Sequence, residues 1–441
     1  MNDTIVAVAS PPGVGAVSLI RLSGSEVLSI AGKMLESFSS RQVRPRQVRR
    51  DWVQTPSGER VDDVLVTYFG GPASYTGEDV LEITGHGGIL VTRKIVEQAL
   101  AQGARLAEPG EFSQRAFLNG KLDLTQAEAV MDLIHAQTDL AARAAREQLS
   151  GKLGGEVAEL RETLINVVAH VEAYIDFPDE DISPETGSAL DQSLADVASK
   201  VRSLLGTAKR GRLLREGARL AIIGAPNAGK SSLLNALLGY ERAIVSAVAG
   251  TTRDTVEEVM DFDGVPVRVI DTAGLRDSGD AIEVEGIARA RERMKDADVI
   301  IELVDASQAP AERLAEEALL VLNKVDLGIH PGWGGEEALQ ISAATGDGLE
   351  ELRSRVRSSL WEEDRGTSSG ALIAINTRHQ DALRRALDAV EEARAMLQNG
   401  EEPEFAALPL REALNAVGEV GGRIDTEEIL GSIFGQFCIG K

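Results

Sequence analysis

The feature that most constrains this chain is a glycine-rich loop set directly between an apolar strand and a helix. Residues 220–223 are apolar, Gly224-Ala-Pro-Asn-Ala-Gly229-Lys230-Ser231 follows at once, and residues 232–238 have the composition of a buried helix. The pattern G-x-x-x-x-G-K-[ST] in this context is typical of phosphate-binding loops, because its glycines let successive backbone N–H groups turn toward one anion. It predicts a doubly wound, mostly parallel sheet for this part of the chain.

The side chains of this loop predict a bound nucleoside triphosphate with Mg²⁺. Lys230 is expected to reach the β- and γ-phosphate oxygens, and the Ser231 hydroxyl to ligate Mg²⁺. The other phosphate contacts expected from the loop and the helix start are Asn227, Ala228, Gly229 and Ser232.

Two later motifs indicate that the base is guanine. Asn323-Lys324-Val325-Asp326 follows the apolar run 320–322, and Ser342-Ala343-Ala344 follows a strand expected over 339–341. The Asp326 carboxylate can accept hydrogen bonds from guanine N1–H and the 2-amino group, and backbone N–H groups of 342–344 can donate to O6. Adenine lacks those donors, so a buried carboxylate would stay unpaired, and such a site rejects the wrong base strongly.

Between these motifs lie two segments expected to sense the γ-phosphate. Gly250-Thr251-Thr252-Arg253-Asp254 offers Thr252 as a second Mg²⁺ ligand. Asp271-Thr272-Ala273-Gly274 follows a strand expected over 267–270, with Asp271 near the Mg²⁺ shell and the Gly274 N–H group on the γ-phosphate. Such loops are ordered by the γ-phosphate and released on hydrolysis. The further nucleotide contacts expected here are Ser246, Ala247, Val248 and Ala249.

The residue after Gly274 departs from the usual catalytic pattern. Ras-type enzymes place a water-orienting glutamine there, whereas this chain has Leu275. A leucine cannot hold water, so either hydrolysis is slow or another polar group acts. Glu283 and Glu285 are candidates, although each is also compatible with a plain surface carboxylate.

The flanks of this region predict three further segments. Residues 1–118 have short alternating apolar runs (6–9, 17–22, 64–68, 80–83) typical of a mixed α/β domain, and 119–214 have helical periodicity that begins at a capping-box pattern, Thr125 to Glu128. The α/β nucleotide domain is expected over 215–375 and helices return over 376–441. This order predicts one discontinuous helical domain with an inserted domain; two separate helical subdomains are the alternative.

Composition limits the cellular setting and the partners. No apolar run approaches the ~18–20 residues of a membrane span, and the single cysteine, Cys438, rules out an intrachain disulfide; a cytosolic protein is expected. The net charge of −24 opposes nucleic-acid binding over most of the surface, so an RNA would need a local basic patch or a second protein. A solvated loop is the favoured interpretation of the one dense basic run, 41–50, and its contact with RNA stays open.

The whole chain resembles the bacterial tRNA-modification GTPase family MnmE (TrmE), within the TrmE-Era-EngA-YihA-Septin-like GTPases. The nucleotide motifs fit many GTPases, whereas the flanking segments are specific to this family. These segments are Asp3-Thr-Ile-Val-Ala, Thr76-Gly-Glu-Asp-Val-Leu-Glu82, Gly85-His-Gly-Gly88, Pro109-Gly-Glu-Phe-Ser-Gln-Arg-Ala-Phe-Leu-Asn-Gly-Lys121, Ile175-Asp-Phe-Pro-Asp-Glu180, Leu213-Leu-Arg-Glu-Gly217 and Phe437-Cys-Ile-Gly-Lys441.

The resemblance implies an N-terminal domain that dimerises and binds a tetrahydrofolate derivative (5-formyl- or methylene-tetrahydrofolate), a helical domain and an inserted Ras-like G domain. It implies a flavin-containing partner, MnmG (GidA), which carries the FAD and forms a heterotetramer or larger complex with this chain. The acidic net charge is consistent with the hypothesis that this partner provides most of the tRNA contact. Together the two add a 5-aminomethyl-type (carboxymethylaminomethyl) group to the wobble uridine U34 of certain tRNAs. Arg21, Glu82, Lys121 and Lys441 match the folate-contacting positions; Cys438 stands beside them, either as a site residue or as a packed thiol.

The resemblance also implies potassium-dependent hydrolysis. Asn227, Ser246, Val248 and Thr251 match the K⁺ ligands, and Glu283 matches the carboxylate that orients the attacking water. A K⁺ ion among oxygens can offset negative charge on the transferring phosphoryl group. Two other hypotheses stay open: a GTPase switch for ribosome assembly, which predicts a basic RNA-binding appendage, and a GTP binder that does not hydrolyse.

Overall fold

The structure is a computed structural model that describes residues 3–39, 43–176, 185–240, 259–270, 296–334, 337–361, 373–399, 401–422, 431, 433–435 and 437–440. The chain divides into two compact units, residues 1–131 with 418–441 and residues 132–417. Within the described residues, no helix combines the length and the apolar character needed to cross a membrane.

The first unit contains a six-stranded sheet of order β3-β4-β5-β2-β1-β6, antiparallel except between β1 and β6. Side chains that alternate along β2 and β5, among them Ile20 and Ile83, are buried together with Ile30 and Ile95 of the helices. The strands are β1 Ile5–Val8, β2 Val17–Ser23, β3 Val48–Gln54, β4 Arg60–Phe69, β5 Val80–His86 and β6 Arg105–Leu106; the helices are α1 Val27–Met34, α2 Ile89–Ala101, α3 Glu111–Leu118 and α4 Leu124–His135.

The predicted loop over 41–50 is wrong for its last residues. Residues 48–50 belong to β3, the edge strand of the sheet, and Arg50 pairs with Asp63 of β4 at 2.6 Å between Nη2 and Oδ2. Edge strands often carry charged residues, which prevent pairing with another chain. A basic edge strand therefore has the composition of a loop, and composition misled the prediction.

The helix start predicted from Thr125 and Glu128 is shifted by two residues. Asp123 Oδ1 accepts a hydrogen bond from the Gln126 N–H group at 2.8 Å, and Gln126 Oε1 accepts one from the Asp123 N–H group at 3.0 Å. This reciprocal pair is a capping box built by Asp123 and Gln126. Thr125 and Glu128 instead lie inside α4 and are buried, so they cannot occupy the cap positions.

The second unit contains the other six-stranded sheet, of order β12-β11-β10-β7-β9-β8, parallel except between β8 and β9. Both faces of its central strands are buried, so they are nearly continuous apolar runs. The helices before the sheet are α5 Asp139–Leu149, α6 Lys152–Asp176, α7 Glu185–Gly206 and α8 Ala208–Glu216. The sheet region consists of β7 Ala218–Ile223, α9 Lys230–Tyr240, β8 Val259–Phe262, β9 Val265–Val269, β10 Val299–Asp305, β11 Leu319–Asn323, β12 Leu339–Gln340 and α10 Leu349–Trp361, and it is followed by α11 Thr377–Gln398 and α12 Pro403–Gly421.

Helices from before and after the sheet pack in one bundle. Arg394 of α11 pairs with Asp191 of α7 at 2.6 Å, and Arg411 of α12 pairs with Glu172 of α6 at 2.6 Å. Asn376 caps α11 by accepting the His379 N–H group at 2.8 Å. The predicted fold class is confirmed: a mixed α/β N-terminal part, helices on both sides of an inserted sheet, and a doubly wound, mostly parallel order in that sheet.

Candidate nucleotide-binding site

The loop between β7 and α9 has a backbone that only glycine permits at two positions. Gly224 has a φ of +148°, and a Cβ there would lie 2.1 Å from the Leu303 carbonyl oxygen. Gly229 has a φ of +97°, and a Cβ there would lie 2.3 Å from Asn323 Nδ2. Both contacts are far shorter than any real Cβ contact. The two glycines therefore let the loop press against β10 and β11, which fixes its curvature at the start of α9.

Lys230, the first residue of α9, folds back over this loop. Its Nζ donates to the Gly224 carbonyl at 2.8 Å and to the Ala225 carbonyl at 2.9 Å. Burial lowers the pKa of the Lys230 ammonium. The cation thus lies against the amides expected to bind phosphate, and a phosphate has only to replace two neutral carbonyl acceptors. The loop and the lysine fit the triphosphate that the sequence predicts.

Asn323, at the end of β11, joins the phosphate loop to the loop after β12. The side chain is 2% exposed. Its Nδ2 donates to the Ala228 carbonyl at 2.8 Å, and its Oδ1 accepts the Ala343 N–H group at 3.0 Å. Asn323 was predicted as a nucleotide contact; in the structure it holds together the two loops predicted to bind the phosphates and the base.

Lys324, the next residue of the Asn323–Asp326 motif, is held by the neighbouring strand β10. Lys324 has a left-handed backbone (φ 64°), and its Nζ donates to Asp305 Oδ2, at the end of β10, at 2.7 Å. Partial burial raises the pKa of Asp305, but hydrogen bonds from Lys324 and Ser307 outweigh it and hold the pKa below its ordinary value. The carboxylate is therefore charged at neutral pH and anchors the lysine.

Asp326 lies in a short 3₁₀ turn, Val325–Leu327, and the Ser342 hydroxyl donates to its Oδ1 at 2.6 Å. Asp326 is exposed, while Ser342 beneath it is fully buried; the burial that the sequence predicts for this carboxylate is that of the site with its base bound. Asp326 lies three residues beyond the end of β11, where a base lying over it would remove it from water. Discrimination against adenine thus depends on the bound base covering the carboxylate.

The three amides predicted to meet guanine O6 are not equivalent. The Ser342 N–H group donates to the Asp347 carbonyl at 2.9 Å, and the Ala343 N–H group donates to Asn323. Both are engaged within the protein, so the expected contact with O6 falls to the Ala344 N–H group.

Comparisons with known proteins agree with a nucleotide site and also cover the segments before and after it. The family "GTP-binding protein TrmE N-terminus" matches residues 4–121, and the family "MnmE helical domain" matches residues 124–438. The protein named "tRNA modification GTPase MnmE" of Akkermansia muciniphila is 49% identical over 99% of each chain. That of Aquifex aeolicus is 44% identical over the full length of both.

The chain belongs to the MnmE/TrmE family. The resemblance inferred from the flanking segments is thereby confirmed, and so is the enzyme class predicted from the motifs, a GTPase. Among solved structures, the G domain of FeoB from Methanococcus jannaschii aligns with 27% identity over 32% of this chain and 97% of that chain, with a TM-score of 0.23.

Several predicted residues of the MnmE/TrmE site lie outside the described residues. They are Ser246, Ala247, Val248, Ala249, Gly250, Thr251, Thr252, Asp271, Thr272, Ala273, Gly274, Leu275, Glu283, Glu285 and Lys441. Of the predicted Mg²⁺ and K⁺ ligands, the structure describes Ser231, at the start of α9, and Asn227, whose φ is 64°. Asn227 is exposed at the rim of the phosphate loop.

In the first unit, two of the predicted folate positions meet. Arg21 of β2 pairs with Glu82 of β5 at 2.7 Å, and the strands are in register at these residues. The Arg21 guanidinium lies 5.5 Å from the Tyr75 ring centroid and 5.8 Å from that of Phe112. Lys121 instead donates to the Pro72 carbonyl at 3.0 Å. Phe112 is fully buried and Tyr75 packs against it, so the two rings support the guanidinium from the protein side; sequence reasoning did not single out either ring.

The C-terminal tail returns to the same sheet. A Cβ on Gly440 would lie 2.3 Å from the carbonyl oxygen of Val8, the last residue of β1, and Phe437 packs with Phe434 and Leu124. Cys438 is exposed on this tail. The tail therefore lies beside β1, whose Ala7 is paired with Arg21.

Proposed function

We propose that this chain hydrolyses GTP as part of a tRNA modification, in which a 5-aminomethyl-type (carboxymethylaminomethyl) group is added to the wobble uridine U34 of certain tRNAs together with the flavin-containing partner MnmG (GidA). One observation carries the GTP-binding part: Asn323 joins the phosphate loop to the base-binding loop, so both ends of one nucleotide would meet a single preassembled surface. The tRNA modification is supported by the relatives named tRNA modification GTPase MnmE, which this chain matches over their full length.

The alternative of a ribosome-assembly switch is less well supported. It requires a basic RNA-binding appendage, whereas the segments on both sides of the G region (residues 215–375) match the MnmE/TrmE family. The net charge of −24 also supports a tRNA held largely by the partner protein.

Metal ions complete the proposed hydrolytic site. Ser231 and Thr252 would hold Mg²⁺, and Asn227, Ser246, Val248 and Thr251 would hold K⁺. Two of these residues lie in the part of the chain that the structure describes: Ser231 in the first turn of α9, and Asn227 exposed in the loop that Lys230 crosses. Bound K⁺ would offset negative charge on the phosphoryl oxygens, while Glu283 orients the attacking water and the Gly274 N–H group meets the γ-phosphate.

The first unit would bind a tetrahydrofolate derivative through Arg21, Glu82, Lys121 and Lys441, near Cys438, and would form the homodimer. We further propose the division into an N-terminal domain over 1–118, a helical domain over 119–214 and 376–441, and a G domain over 215–375, in a protein that acts in the cytoplasm.

GTP turnover in potassium and sodium buffers of equal ionic strength tests the enzyme and its cation together. Strong stimulation by potassium is expected, and equal rates would remove the cation site at Asn227. Preference for ATP, or failure to bind either nucleotide with Mg²⁺, would overturn the whole function. In cells that lack the chain, wobble uridine should be hypomodified; normal modification would leave a GTPase with another role.

Glu283→Ala separates catalysis from binding. Turnover should fall by about 10²-fold or more, the usual contribution of a positioned acid or base, with the GTP dissociation constant nearly unchanged. Glu285→Ala is the matched control and should keep its turnover. A collapse of GTP binding in Glu283→Ala would contradict the assigned role.

A further inference from the structure

The β8–β9 hairpin connects, in sequence, the two segments predicted to sense the γ-phosphate and Mg²⁺. Residues 250–254 precede β8, and residues 271–274 follow β9. The hairpin turns at Asp263 and Gly264, whose φ values are +49° and +96°. Two successive left-handed residues match the twist of the flanking strands, so the turn is tight and rigid. The two paired strands thus connect these segments to the hairpin tip.

The tip is hydrogen-bonded to the residue that caps the start of a helix far away in sequence. Thr138 Oγ1 donates to the Gly264 carbonyl at 2.7 Å, and the same oxygen accepts the Ala141 N–H group at 3.2 Å as the N-cap of α5. A Cβ on Gly264 would lie 2.9 Å from Leu140 Cβ. One buried hydroxyl therefore both caps α5 and holds the hairpin tip.

Helix α10 holds the sides of the same tip. Arg353 donates to the Asp261 carbonyl at 3.0 Å, and its guanidinium lies 5.6 Å from the Phe262 ring centroid. Asp263 pairs with Arg357 at 3.4 Å and with Arg353 at 3.6 Å. These contacts join the hairpin to its own sheet region, whereas Thr138 joins it to the helical bundle.

Helix α5 in turn contacts the helix that leads into the nucleotide site. Ala141 and Ala144 of α5 form one buried cluster with Leu214 of α8. The chain passes from α8 through Gly217 into β7 and the phosphate loop. The first turn of α5 thus lies between the hairpin tip and the entry to the G region.

We propose that Thr138 is a positioning residue that couples the two phosphate-sensing segments to helix α5. The inference rests on the proposed GTP hydrolysis. A tip displacement of about 1 Å would stretch the 2.7 Å bond beyond hydrogen-bonding range. The hydroxyl would then reorient and the cap of α5 would weaken. The first turn of α5 would therefore be ordered while the bond is intact and frayed when it is broken, so its order would depend on the nucleotide state.

Thr138→Asp and Thr138→Asn test the coupling in the full chain. Both side chains are good N-caps, so α5 keeps its start. Only the asparagine amide can also donate to the Gly264 carbonyl, because the aspartate carboxylate is acceptor-only. The pair differs in that one donor, and neither change touches Lys230, Asn323 or Asp326. The measurement is amide hydrogen exchange over 139–142 with GDP and with a non-hydrolysable GTP analogue.

In the wild-type chain, exchange over 139–142 should differ by about 5-fold or more between the two nucleotides, the low end of common coupling between sites. Thr138→Asn should keep the difference, and Thr138→Asp should lose most of it while binding the GTP analogue within about twofold of wild type. A wild-type α5 that ignores the nucleotide, or a Thr138→Asp chain that still responds, would overturn the coupling but leave GTP hydrolysis intact. A chain that binds no GTP would refute both.

Discussion

Replacing Asn323 with alanine should lower both the stability of the proposed G domain and its affinity for nucleotide. The sum of the two losses in free energy can be worked out from the structure. The side chain is 2% exposed and makes two hydrogen bonds, at 2.8 and 3.0 Å. Alanine removes the partner of the Ala228 carbonyl and of the Ala343 N–H group, at about 1–3 kcal/mol each. Ala343 is only partly buried, so water can relieve part of this loss. We expect a total of about 2–4 kcal/mol, measured from the unfolded chain to the nucleotide-bound one.

This total divides between stability and affinity, and both can be measured. If the two loops stay in place without nucleotide, the loss is in stability, and the midpoint of thermal unfolding falls by about 2–4 °C per kcal/mol for a domain of 150–250 residues. If the loops separate, the loss is in affinity, at about 1.4 kcal/mol per tenfold increase in the GDP dissociation constant. Thermal unfolding of the nucleotide-free chain and a GDP titration give the two parts.

Asp326→Ala is the control for this experiment. Asp326 is exposed, so its loss should reduce GDP affinity, while the nucleotide-free chain should lose only the one hydrogen bond from Ser342, about 1 kcal/mol. The proposed role of Asn323 is refuted if the two losses in Asn323→Ala sum to less than about 1 kcal/mol, the worth of one ordinary hydrogen bond.

Four further outcomes each follow from one side chain. Asp326→Asn should lower GTP binding by about 100-fold or more and favour xanthosine triphosphate, whose 2-oxo group suits an amide donor, in a competition assay. Arg115→Met should cost about 3–5 kcal/mol in thermal unfolding, since Arg115 is 1% exposed among carboxylates that include Glu111. Burial raises the pKa of Glu111, but hydrogen bonds from Arg105 and Arg115 hold the pKa below its ordinary value. The ionised Glu111 therefore stabilises the folded chain above about pH 4.5, and this contribution to the free energy of unfolding is lost as the pH falls. The Asp62 carboxylate raises the pKa of His86, so Asp62→Asn should move the His86 NMR titration midpoint down toward 6.5; an unchanged midpoint would contradict the pairing.

Much of the fold could be predicted because its signals are local. The phosphate loop needs glycine at two positions, and the central parallel strands are apolar throughout, so β7, α9, β10 and β11 are apparent from the sequence. The misses have a physical cause as well. The charged edge strand β3 lacks an apolar face long enough to signal a strand, and at the start of α4 two overlapping capping patterns differ only in which residue lies outside the helix.

The sequence by itself determined the chemistry of this protein: an amide-rich loop with a lysine, a carboxylate suited to guanine, and flanks specific to one GTPase family. Only the tertiary structure decided how these parts are joined. Asn323 reaches Ala228 across 95 positions of the chain, and Thr138 reaches Gly264 across 126. Such contacts depend on which strands and helices become neighbours, and neither periodicity nor local spacing contains that information.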